Sequence, residues 1–98
     1  MATEPTIALP ELLLFAIERR IQLRAIYNRG EAALAPHSLL ERHGDLFLRA
    51  VTMRFDGRAP REPKLGTFKL AGLSNVRLTG SEVPDGIFAA AEVRGRAA

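Results

Sequence analysis

A mainly β fold with an N-terminal α-helix, its five strands curling into a small barrel, is what this sequence predicts. Two tight-turn signals, Asn28-Arg29-Gly30 and His43-Gly44-Asp45, separate alternating or apolar runs, as hairpin corners do. Ahead of them the hydrophobic spacing changes from a wide stripe over Leu12 to Ile17 to alternation from Ile21, the mark of a helix handing over to a strand. The run that leaves the second turn, Leu46 to Met53, is rich in large apolar and β-branched residues and is expected to be the central strand.

The elements follow in order. Met1 to Leu9 reads as a loose lead-in, and Pro10 suits a first helical turn because its missing N–H would have had no partner there. A helix is expected over Glu11 to Arg20, with Leu12, Leu13, Phe15, Ala16 and Ile17 as its apolar stripe and Arg19-Arg20 favourable at its C-terminus. Ile21, Leu23 and Ala25 then alternate with Gln22 and Arg24 up to Tyr27, giving a first strand; a helix running on to Tyr27 is the competing reading. Glu31 to Ala35 should pair back on it. Pro36 interrupts that second strand and requires an edge position, a bulge or a sharp bend, and the chain is extended again from Ser38 to Arg42.

On the central strand Leu46, Leu48 and Ala50 fall on one face and Phe47, Arg49 and Val51 on the other. Arg54 to Pro63, with Asp56-Gly57, two prolines and three arginines, is too polar and broken to be buried. Lys64 to Leu70 and Ser74 to Thr79 supply the last two strands, Gly72 lying between them. Gly80 and Pro84 are expected to end the barrel, so that the helix occupies about 11–20, the barrel about 21–79 and a C-terminal tail 80–98. Within that tail Ile87 to Val93 could add a short helix, and Arg94 to Ala98 a frayed end.

The bulk composition bounds the classes of function. The chain has 98 residues, 47% hydrophobic and 26% charged, as an ordinary globular unit has, so residues 1–98 are read as a single domain with one modest core. Of its 14 basic residues all but Lys64 and Lys69 are arginine, against 11 acidic residues, and arginine favours forked contacts to phosphate and carboxylate. The absence of cysteine excludes disulfides, thiolate metal sites and cysteine nucleophiles, and suits a reducing compartment. No apolar run is long enough to span a membrane, and Glu4 and Glu11 stand where a signal peptide would carry positive charge, so a cytoplasmic protein is expected.

The ordered elements resemble the WYL domain, a small module of bacterial regulators. Ala16-Ile17 and Tyr27 match its helix and first strand, and Leu34-Ala35-Pro36 followed by Leu39 or Leu40 matches its proline-bearing strand. Leu46-Phe47-Leu48 takes the place of the naming Trp-Tyr-Leu triplet, and Phe68-Lys69-Leu70 with Leu73 that of the closing Phe-Arg-Leu segment. Leu46 and Phe47 discard the donors of that triplet, and Gly66 stands where an arginine is usual. The resemblance implies a helix packed on a five-stranded, strongly bent Sm-like barrel. It further implies a sensor that binds nucleic acid or an anionic small molecule and signals to a DNA-binding domain. Only Met1 to Pro10 precedes the first helix, so a partner chain, a homo-oligomer or a different role is expected instead.

Phe47 and Arg49, an aromatic and a guanidinium on one strand face, suit a base or a phosphate, although Phe47 could instead pack under the N-terminal helix. Lys64 and Lys69 flank Phe68 and can supply positive charge or merely guard a strand edge, while Arg54, Arg58 and Arg61 make the following loop basic. These seven residues form the expected ligand or nucleic-acid site. His37 and His43, with Glu41 and Asp45 nearby, make a poor metal site, and no metal or cofactor is expected. Without paired carboxylates in apolar surroundings or a Gly-rich phosphate loop the chain is read as a non-enzyme, its alternative role being protein interaction or homo-oligomerisation after loss of the ligand pocket.

Overall fold

Helix α1, Leu9–Arg19, opens the computed structural model, which describes residues 8–95. Pro10 lies in its first turn, and Arg20 adopts the left-handed conformation (φ 57°), its N–H turned back to the carbonyls of Ala16 and Ile17. That cap stops the helix, so Ile21 begins a strand and the longer helix to Tyr27 does not form. The sheet comprises β1 (Ile21–Tyr27), β2 (Gly30–Arg42), β3 (Asp45–Phe55), β4 (Leu65–Lys69) and β5 (Ser74–Glu82), all paired antiparallel in the order β4-β3-β2-β1-β5. A 3₁₀ turn, Leu70–Gly72, joins β4 to β5, and α2, Ile87–Gly95, follows. The lead-in over Met1 to Ile7 and the end beyond Gly95 lie outside the described residues.

Both predicted hairpins form with two-residue loops. Tyr27 pairs with Gly30 across Asn28 (φ 50°) and Arg29 (φ 65°), and Arg42 pairs with Asp45 across His43 (φ 53°) and Gly44 (φ 84°). Positive φ at both loop residues is the turn whose twist matches that of the flanking strands.

Pro36 does not divide the second strand as expected. β2 runs unbroken through it, because the pairing with β1 ends at Leu34 and leaves Pro36 with β3 as its only neighbour. The irregularity falls one residue later, where His37 is an extra residue between the pairs Pro36–Ala50 and Ser38–Arg49. Gly80, expected to end the last strand, lies within β5, an outer strand where a missing side chain costs little packing.

The sheet has two covered faces. On the first, Leu23, Ala25, Ala32, Leu34, Leu48, Ala50 and Phe68 pack against Leu13 and Ala16 of α1. On the second, Ala35, Val51 and Leu65 pack against Ile87, Phe88 and Ala91 of α2. The curl of the sheet is visible in one contact: Tyr27 on β1 and Phe68 on β4, with two strands between them in the ladder, meet edge to face at 5.1 Å. Closure by hydrogen bonding does not follow, since β4 and β5 are the outer strands and do not pair with each other among the described residues. The expected barrel is thus a curled, open sheet, its ends joined through the 3₁₀ turn.

Candidate ligand platform on the second sheet face

Antiparallel partners share a face, so the register places side chains directly. Lys69, Thr67 and Leu65 on β4 stand opposite Phe47, Arg49 and Val51 on β3. On the other side of β3, Leu40 stands opposite Phe47 and Ser38 opposite Arg49. Phe47 and Arg49 therefore share a face, and Lys69 joins them there across the β3–β4 ladder. They do so on the side of α2: Val51 and Leu65 of the same rows belong to the cluster that α2 covers, so Phe47 does not pack under the N-terminal helix.

Arg49 is the centre of this platform. It is half-buried, flanked by the hydroxyl-bearing Ser38 and Thr67, and its guanidinium makes no hydrogen bond or ion pair among the described residues. A guanidinium in that position keeps its donors available, and partial loss of water strengthens its attraction for an anion. Lys69 is different: its ammonium pairs with Asp45 at 3.4 Å, so part of its charge is already answered. Beside Ser38, its Oγ lies 2.9 Å from Nδ1 of His37, whose ring meets Phe88 of α2 edge to face at 4.8 Å. The wall of the platform is thereby anchored to the C-terminal helix.

The remaining predicted residues stand elsewhere. Arg58 closes the Asp56-Gly57 turn through its backbone, exchanging hydrogen bonds with Phe55 at 2.8 and 3.0 Å. Arg61 and Lys64 are exposed and line a separate 330 Å³ groove with Pro60 and Glu62. Arg54 is on the second face but five residues along β3 from Arg49. Phe68, which Lys64 and Lys69 flank in the sequence, is 9% exposed and packed into the first core. Ser38 and Thr67 carry no site signal in the sequence; only the strand register sets them beside Arg49. His37 and His43 occupy a bulge and a turn, and no group of three or more His, Cys, Asp or Glu side chains is assembled among the described residues. No helix among the described residues is long and apolar enough to cross a membrane.

Neither a family model nor a curated protein matches this chain.

Proposed function

We propose that this chain is a non-catalytic, ligand-sensing regulatory module that binds nucleic acid or an anionic small molecule on the platform of Phe47, Arg49, Ser38 and Thr67. The observation that carries this reading is the half-buried guanidinium of Arg49, unpaired among the described residues, between two hydroxyls and next to an aromatic ring. Phosphate or carboxylate would engage the fork, and a base or other flat group would lie on Phe47. The WYL resemblance carries the same reading to a cytoplasmic role in transcriptional regulation or phage defence, and to an Sm-like barrel as the ancestry of the curled sheet.

Titration of a short single-stranded oligonucleotide tests it. Binding is expected to weaken steeply between about 50 and 200 mM salt, and Arg49→Ala to lower affinity about tenfold. Asp45→Asn, which frees Lys69, is expected to raise affinity. Salt-insensitive binding, or none to either an oligonucleotide or a panel of small phosphorylated compounds, contradicts the reading.

A second reading, a protein-interaction or homo-oligomerising module, is favoured by the outer side of α1, where Leu14 is 53% and Phe15 41% exposed. Light scattering decides whether copies associate: a monomer at high concentration, unchanged by Leu14→Glu, counts against self-association.

A further inference from the structure

The same sheet face carries a second basic feature at its opposite end. Arg77 on β5 stands opposite Arg24 on β1, Arg24 opposite Ala33 on β2, and Ala33 opposite Arg54 on β3. Three arginines thus form one row across four adjacent strands, with an alanine leaving a gap in it. Like charges directly opposed across a ladder repel. One carboxylate answers two of them: Glu31 binds Arg24 Nη1 through Oε2 at 3.0 Å and Arg77 Nη2 through Oε1 at 3.1 Å. Among the described residues Arg54 has no carboxylate partner, and its guanidinium donates to the Gly57 carbonyl at 3.3 Å. Arg24, Ala33 and Arg54 line a groove of 390 Å³ together with Gln22, Thr79 and Ser81, and Arg77 stands outside that lining, at the end of the row.

We propose that this groove is a second anion site, separate from the Arg49 platform, that takes a compact dianion such as a phosphate monoester, with Glu31 as a tethered competitor for the guanidinium groups. The two arginines in the groove lining, Arg24 and Arg54, carry a formal charge of two with no acidic residue beside them in that lining, which suits a dianion better than a singly charged phosphodiester. The groove lies within the size range of small-ligand sites, ~300–1,000 Å³. Ala33 leaves the row open between Arg24 and Arg54, and Glu31 is not among the residues that line the groove.

Glu31 is held by its backbone as well as its side chain. Its N–H donates to Oδ1 of Asp56 at 2.9 Å, and its carbonyl accepts from the Asp56 N–H at 2.8 Å. The carboxylate can therefore release Arg24 and Arg77 to an incoming dianion while the strand stays in place.

Amide-resolved NMR titration with inorganic phosphate, at constant ionic strength, tests this on the whole chain. Saturable shifts at Arg24, Ala33, Arg54 and Arg77 are expected, Glu31→Gln should tighten phosphate binding several-fold, and Arg54→Ala should weaken it about tenfold. Arg49→Ala should leave the shifts at Arg24, Ala33, Arg54 and Arg77 unchanged and remove only those around the platform, whereas oligonucleotide binding at the platform should respond to Arg49→Ala and not to Glu31→Gln. Shifts spread evenly over the basic residues overturn the proposal. So does weaker or unchanged phosphate binding in Glu31→Gln with its spectrum otherwise native, which would leave Glu31 only a structural clamp. An oligonucleotide that displaces phosphate from Arg24 and Arg54 overturns the compact-dianion assignment.

Discussion

Gly30 shows how a residue can be required for a reason that no local pattern contains. Within Asn28-Arg29-Gly30 the positive φ values fall on Asn28 and Arg29, and Gly30 is the first residue of β2. A Cβ on Gly30 would lie 2.3 Å from Cζ of Phe55, a ring packed against the first core. The glycine is therefore there for a residue at the far end of β3. Gly30→Ala is expected to destabilise the chain by about 1–3 kcal/mol through displacement of that ring, measured by urea unfolding. An unchanged unfolding midpoint would mean that Phe55 has room to move. The turn was legible in the sequence, but the contact that makes its last residue glycine depends on the β2–β3 register and was not.

At the scale of elements, alternation in β3 places Phe47, Arg49 and Val51 opposite in sense to Leu48 and Ala50, and the two cores fall that way. The pattern then fails in an informative manner. Met53 is an extra residue between the pairs Leu34–Thr52 and Ala33–Arg54, which moves Arg54 from the parity of Leu48 and Ala50 to the second face. The His37 bulge does the same for Ser38. Two bulges thus build both basic rows of the second face, Ser38-Arg49-Thr67 and Arg54-Ala33-Arg24-Arg77. A strict period of two cannot reveal such pairings, because one inserted residue reverses every later side chain. The helix that covers this face is itself testable. Ala91 of α2 is 0% exposed against Ala35 and Val51, so Ala91→Asp should cost about 3 kcal/mol or more by stranding a buried charge. Retained stability would show that α2 is not essential to the second core.

Taken whole, the molecule is a curled antiparallel sheet with a helix on each face, and its charge is divided rather than pooled. The composition pointed to anionic partners through its arginines, and the expected site drew seven residues into one set. The structure divides them: Phe47, Arg49 and Lys69 on the platform, Arg54 in the arginine row, and Arg58, Arg61 and Lys64 around the loop between β3 and β4. The two hairpins and the element types were legible because turn chemistry and periodicity are local, whereas the strand expected at the centre, β3, stands one place from it and β2 holds the middle of the sheet. Which cations are already answered was not, since the Lys69–Asp45 and Arg24–Glu31–Arg77 pairings arise between strands. A surface that bound anions by net charge alone would treat its exposed arginines alike. The central claim is that Arg49 is special by position, and comparing Arg49→Ala with Arg61→Ala in oligonucleotide affinity at one salt concentration tests it most directly. These variants remove the same charge. An affinity loss of about tenfold for Arg49→Ala and under about twofold for Arg61→Ala is predicted, and equal losses would contradict a defined platform.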